Sequence, residues 1–336
     1  MQTLVKTTPA YALFKAEQDK NRLHHAYLLL FDDKRNLREA VKTFAKLLFH
    51  ADSPDTAQEQ RISSLIDLET FADCLIFPKE DKKFAVSDSE SLLEELPIKP
   101  IEGNKKVFLV ADFADATPQA QNKLLKALEE PPENVYFILG ATSSYPILTT
   151  VLSRTAKLEI QPFPLQQTEE CLKRIYKDKP YTDREYSLCA AASSGSVGNA
   201  QNVLDGGFYK DLTEKAFALT MSELTTLPSV IKKLGDMKYK RELLSLLKLV
   251  YRDAFLLKAK AEKKDFAFVG ESVLSLPTEK EKIRLISSKF SLSTLLFAQS
   301  ALTKAEKEVK FNANFSQCVE IALSEILWHK NNELQS

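Results

Sequence analysis

Apolar positions in this chain fall into two alternating patterns. Residues 26–30 (AYLLL), 105–113 (KKVFLVADF) and 134–142 (NVYFILGAT) are short runs that stay apolar through successive positions, the signature of buried strands. Between them the spacing changes to that of a helix. Leu37, Val41, Phe44, Ala45 and Leu48 recur at helical intervals across 36–50, and a second helix is predicted over Thr117–Glu130. Its start is marked by a hydroxyl residue followed by Pro118, and its end by Pro131 and Pro132, neither of which can donate a backbone N–H. Strands that are apolar throughout and alternate with helices predict a parallel sheet covered on both faces.

After Arg154 the pattern shifts. The stretch KLEIQPFPLQQTEECLKRIY predicts one more short strand, a proline-marked joint at Pro162 and Pro164, and a small helical segment closing at SSGSVGNAQNVLDGG. Beyond Gly207 the chain reads as helical. Leu243, Leu247, Val250, Ala254 and Leu257 form one stripe in 240–257, widened by Leu244, Tyr251 and Phe255, and two more helices are predicted over about 291–309 and 315–330. The expected domains are therefore an α/β domain over 1–163, a small helical domain over 164–208 and a helical domain over 209–336.

Composition narrows the class. At 336 residues, 44% hydrophobic and 27% charged, the chain is long and apolar enough for two or three cored domains. Its 46 basic and 46 acidic side chains cancel, which removes any long-range pull toward nucleic acid or an anionic membrane. No apolar run approaches the ~20 residues that span a bilayer, and the N-terminal residues lack an export pattern, so a cytoplasmic protein with no membrane partner is expected. Cys74, Cys171, Cys189 and Cys318 are scattered and are expected to be buried small hydrophobes, with no metal bound. His24 and His25 are expected to pack or cap beside the first strand.

The turn after the first strand reads LLLFDDKRNLREA and contains no glycine. A phosphate-cradling loop of the form G-x-x-x-x-G-K-[ST] needs glycines to turn backbone N–H groups inward, and no two of the chain's 8 glycines stand five apart. They do not fit a G-x-G-x-x-G dinucleotide fingerprint either. Asp32 and Asp33 would place two carboxylates where a polyphosphate needs cations. At the end of the second apolar run, Ala111 stands where a Mg²⁺-holding aspartate is expected and Asp112 remains, either as a catalytic acid or as an ordinary cap or turn residue. No bound cofactor and no ATP hydrolysis by this chain alone are expected.

HHAYLLL, TPQAQNKLLKALEEPPENVYFILGATSSYPILTTVLSRT, GSVGNAQNVL and FNANFSQCVEIALSEIL together resemble the delta-prime subunits of bacterial DNA polymerase III clamp loaders, an AAA+-type family. The resemblance runs from about residue 4 to 330 and is most specific in the central block. It implies an α/β AAA+-type domain, a helical lid and a helical collar that joins subunits into a ring-like assembly. It also implies that Ser153-Arg154 stands where the family's Ser-Arg-Cys motif sends an arginine into a neighbour's nucleotide site, with Thr155 in place of the cysteine. Pro131 and Pro132 would stiffen the turn toward that loop, and Glu129 and Glu130 would either pair with basic groups across a subunit boundary or stand as solvated helix-end acids. Thr142, Ser143 and Ser144 would occupy the sensor-1 loop, and Asn199 replaces a lid arginine. The family's zinc insertion is not matched, since only His50 and Cys74 are present there. Implied partners are gamma/tau-type ATPase subunits, the delta subunit, the sliding clamp and, through the complex, primed DNA. Two alternatives stand beside this one: an active AAA+ ATPase with an atypical phosphate loop, and a stand-alone DNA-binding protein using KRNLRE, KYKRE and KAKAEKK.

Overall fold

The computed structural model describes residues 1–79, 82–232, 234, 238–262, 274–311 and 313–333. Gly235, Gly270, Asn312 and the two lysines ending KAKAEKK, which entered the sequence reading, lie outside the described residues. The chain divides into two compact units, 1–162 and 163–336.

In the first unit, α1 (Gln2–Val5) and α2 (Pro9–Asp19) lead into β1 (Ala26–Phe31), α3 (Lys34–Leu48), α4 (Ala57–Asp67), β2 (Cys74–Phe77), α5 (Val86–Glu95), β3 (Lys106–Val110), α6 (Pro118–Glu129), β4 (Val135–Ala141), α7 (Thr149–Leu152) and β5 (Ala156–Ile160). The strands form one parallel sheet in the order β2-β3-β4-β1-β5, with Leu28 facing Leu139 of β4 on one side and Lys157 of β5 on the other. Every residue of β1 is buried, as its unbroken apolar run required.

Alternate side chains leave β1 on opposite faces. Ala26, Leu28 and Leu30 join Phe108, Phe137, Leu124 and Leu128 in the core beneath α5 and α6. Tyr27 lies on the other face, edge-on to Phe14 of α2, and Phe14 in turn packs on Phe44 of α3. The close approach of α3 to the sheet explains Gly140. A Cβ there would lie 2.8 Å from both the Ala111 carbonyl oxygen and Val41 Cγ1, so a side chain would push the helix off β4.

The strands and helices expected from periodicity are present, most within two residues of their predicted bounds; β3 stops three residues early at Val110, while α13 and α16 run four and three residues further, to Ala261 and Glu333. Six elements of this unit were not expected from the sequence: α1, α2, α4, α5, α7 and β2. The last is only four residues long, and it is held by a neighbour rather than by its own pattern. Asp73, fully buried just before it, accepts hydrogen bonds from the backbone N–H groups of Ile101 (2.6 Å), Glu102 (2.8 Å) and Gly103 (2.9 Å), which ties the loop entering β3 to the edge of the sheet. Lys106 likewise buries its ammonium against the Glu95 carbonyl (2.8 Å), the Glu95 carboxylate (3.0 Å) and the Ile98 carbonyl (3.2 Å).

The second unit is helical throughout its described elements: α8 (Leu165–Ile175), α9 (Asp183–Ala192), α10 (Val197–Asp205), α11 (Tyr209–Met221), α12 (Leu227–Lys232), α13 (Lys240–Ala261), α14 (Lys280–Lys289), α15 (Leu292–Lys310) and α16 (Phe315–Glu333). α13 packs on α9, α11, α14 and α15. Leu243, Leu247, Val250 and Ala254 are buried as expected, but Leu257 is only half-buried, while Leu246 and Leu256 are buried instead. A helix flanked by several neighbours buries a wider arc than one stripe describes. Asp253 is fully buried in this helix, and its carboxylate accepts from Leu276 N (2.8 Å) and Arg252 Nη1 (3.1 Å). All four cysteines are buried and free, matching their expected role. No described helix is long and apolar enough to cross a membrane.

Candidate functional site

The central block builds one continuous support. Thr117 caps α6 by accepting from Ala120 N (3.2 Å), with Pro118 at the first helical position. Leu124, Ala127 and Leu128 then seat the helix against the sheet. His25 fastens its far end, its Nε2 lying 2.7 Å from the Leu128 carbonyl oxygen, so this histidine packs beside the first strand as expected. After β4, Ser143 turns the chain by accepting from Tyr145 N at 3.2 Å.

The side chain that joins these pieces was missed from the sequence. Gln121 is fully buried; its amide donates to the Ala116 carbonyl (3.2 Å) and the Pro146 carbonyl (3.1 Å), and its Oε1 accepts from Leu148 N (2.9 Å). One amide thereby fixes the entry to α6 and the segment that starts α7. A buried glutamine at the second turn of an amphipathic helix was the available signal, because its apolar neighbours Leu124 and Leu128 share its face.

The segment after Thr142, Ser143 and Ser144 ends in the short helix α7, and Ser153 and Arg154 follow its last turn. The Arg154 guanidinium is folded back over that turn. Its Nη1 donates to the Thr150 carbonyl (2.9 Å) and to Ser153 Oγ (3.3 Å), and its Nη2 donates to Glu129 Oε1 (3.1 Å). The Arg154 side chain is 30% exposed and that of Glu129 57% exposed, so this is a surface ion pair. The guanidinium Nε is buried without a hydrogen-bond partner. Structure thus brings Ser153, Arg154 and Glu129 together within one chain. Glu130 and Pro132 are exposed at the end of α6, and Pro131 is half-buried there. Thr155 Oγ1 donates to the Val151 carbonyl at 3.2 Å, so the residue in the cysteine's place also ties back to α7.

The turn after β1 is organised differently. Asp33 does not face an open site; it is buried as the cap of α3, accepting from Asn36 N (3.1 Å) and from Asn36 Nδ2 (3.1 and 3.0 Å). Asp32 is exposed. Lys34 reaches from this turn to the end of β3, where its Nζ lies 2.5 Å from Asp115 and 3.4 Å from Asp112. Asp112 stands at the N-cap position of a 3₁₀ turn (Phe113–Asp115), in keeping with its reading as a cap or turn residue, although its side chain makes no capping hydrogen bond there. Burial, with the neighbouring Asp115 charge, lifts the Asp112 carboxyl above its usual range, and Lys34 only partly offsets that. The hydrogen bond to Asp115 holds the Lys34 ammonium above its own usual range. Around them lies a cleft of about 690 Å³ lined by Lys34, Arg35, Arg38, Lys79, Lys82 and Lys83 together with Glu69, Asp112 and Asp115. In the helical unit, Asn199 lies in the first turn of α10, where its N–H donates to Ser196 Oγ (3.3 Å).

A five-stranded parallel sheet clothed by helices, followed by an all-helical region, is the architecture expected from the sequence. Comparison with known proteins narrows the picture: the chain is similar to subunits of DNA polymerase III. Residues 6–164 match the family described as DNA polymerase III, delta subunit. DNA polymerase III subunit tau/gamma of Haemophilus influenzae is 31% identical over 191 residues, covering 55% of this chain and 27% of that protein, so the chain spans about a quarter of that relative's length. DNA polymerase III subunit gamma of Buchnera aphidicola subsp. Acyrthosiphon pisum is 24% identical over 346 residues, covering 91% of this chain and 90% of that one. Among solved structures, the Bacillus subtilis DNA clamp loader delta protein aligns over 94% of this chain and 99% of its own at 13% identity, with a TM-score of 0.33, too low to bear on the fold described above.

Proposed function

We propose that this chain is a non-hydrolysing subunit of a DNA polymerase III clamp loader, and that Arg154, supported by Ser153, completes the nucleotide site of a neighbouring ATPase subunit. The observation that carries the proposal is the contrast between two turns of one domain. The β1 turn has no glycine and is bridged internally by Lys34, whereas Arg154 sits at the surface on a helix fixed by the buried Gln121. Guanidinium chemistry suits the task, because a planar and permanently charged group can bridge phosphoryl oxygens as their charge redistributes. In this reading residues 164–208 act as the lid and 209–336 as the collar. Ile321 and Trp328, seven residues apart on α16 and 53% and 63% exposed, offer the collar an apolar docking face. The proposed partners are gamma/tau-type ATPase subunits, a delta subunit and the sliding clamp, with primed DNA engaged through the assembly in the cytoplasm.

Reconstitution with the partner ATPase subunits tests it. Arg154→Ala is expected to assemble normally and to lose DNA-stimulated ATP turnover at the neighbouring site; unchanged turnover counts against the finger role. One observation favours a second reading, an active ATPase: the basic cleft at the β1 turn is large enough for a phosphate-bearing ligand, and the tau/gamma relatives match the chain. Titration of the isolated chain with ATP and Mg²⁺ separates the two, since micromolar affinity would establish the second.

A further inference from the structure

In this chain the arginine proposed to act on a neighbour is already engaged at home. Three donor contacts hold it: Thr150 carbonyl, Ser153 hydroxyl and the Glu129 carboxylate. The first two are neutral and come from the helix turn that carries the arginine, so they travel with it. Glu129 is different, because it belongs to α6, twenty-five residues away, and it carries a full negative charge. While that pair is closed, guanidinium and carboxylate together present almost no net charge, and an approaching phosphoryl group meets a carboxylate beside the arginine that should receive it. A finger acting in trans needs the reverse arrangement.

We infer that Glu129 is a parking residue: it holds Arg154 folded over α7 in the free subunit and must release it when a neighbour's nucleotide arrives. This inference rests on the finger reading above and adds its regulation. Several features of the pair fit a releasable contact. It is exposed, with Glu129 bound only through one oxygen to one guanidinium nitrogen, so solvent and salt weaken it. The exchange is one of like for like, a phosphoryl oxygen replacing a carboxylate oxygen on Nη2, while His25 on the Leu128 carbonyl and Gln121 on Leu148 N hold the α6 end and the α7 start. Glu129 also sits on the last turn of α6, where a carboxylate is disfavoured by the helix dipole, so its placement there is not explained by helix stability.

A double-mutant cycle in the reconstituted assembly decides it. Glu129→Gln keeps the side-chain shape but removes the charge, and its DNA-stimulated turnover is expected to rise about two- to fivefold above wild type at subsaturating ATP, the range one surface ion pair allows. In the Arg154→Ala background the same substitution is expected to change nothing. Glu129→Asp should restore wild-type turnover in part, whereas Glu129→Ala should behave like Glu129→Gln. Turnover unchanged or lowered by Glu129→Gln overturns the parking role while leaving the finger role standing. Arg154→Ala without effect in the wild-type background removes the finger reading itself, and the parking role falls with it. Thermal unfolding of the isolated variants guards the comparison, since loss of an exposed pair should leave it nearly unmoved.

Discussion

Two turns at the same end of one sheet have been treated in opposite ways. After β1, where a phosphate loop would need glycines, the backbone runs straight into a helix capped by Asp33, and the acids at the end of β3 are met by Lys34 from the same chain. After β4, a buried glutamine and a short helix hold an arginine at the surface. The first turn pairs Lys34 with two acids of its own chain beside a basic cleft; the second holds a cation on a short helix end, paired with an exposed carboxylate. The difference teaches that two turns of one domain can be organised separately, one around ion pairs at the mouth of a basic cleft and the other around a buried amide that fixes a short helix.

The contrast is most sharply broken at Arg154. If the second turn serves a neighbour, Arg154→Ala should lower turnover at that neighbour's site by about 10³-fold, seen in the assembly as loss of that site's share of ATP hydrolysis. Gln121→Ala tests the mount: it strands Leu148 N and two carbonyls, and should cost about 1–3 kcal/mol in urea unfolding while also reducing turnover in the assembly.

Asp112→Asn tests the first turn through its pH dependence. A carboxyl raised above its ordinary range binds its proton more tightly in the folded chain than in the unfolded one. It therefore weakens the fold at neutral pH and stops doing so once the pH falls below that range. The variant should accordingly be more stable than wild type at about pH 7, with the advantage fading as the pH drops toward about 4; an advantage that grows on acidification would be the wrong sign. The smallest effect is expected from Lys34→Ala. Its ammonium is largely exposed, so stability should shift by less than about 1 kcal/mol, and calorimetry should still detect no ATP binding, because removing a bridge does not supply the missing glycines.

Much of the architecture was written in local patterns. The strands at 26–31, 106–110 and 135–141 are buried on both faces and so could not avoid an unbroken apolar run, and α6 announced itself through Thr117, Pro118 and the two prolines at its end. β2 escaped because four residues carry too little periodicity, and its position depends on Asp73 gathering three N–H groups from a loop about thirty residues away. α7 escaped for a similar reason, since a single turn beginning with two threonines resembles a loop until Gln121 fixes its start.

Sequence by itself determined the long strands and helices, the start and stop of α6, and that the turn after β1 has no glycine with which to cradle a phosphate, because these depend on side-chain chemistry at neighbouring positions. Only the tertiary structure decided that Lys34 meets Asp112 and Asp115, that Gln121 joins α6 to α7, and that Arg154 rests on Glu129. Each of those contacts closes a distance between segments whose separation along the chain carries no record of their meeting, and it is packing of helices on a parallel sheet that brings them within hydrogen-bonding reach.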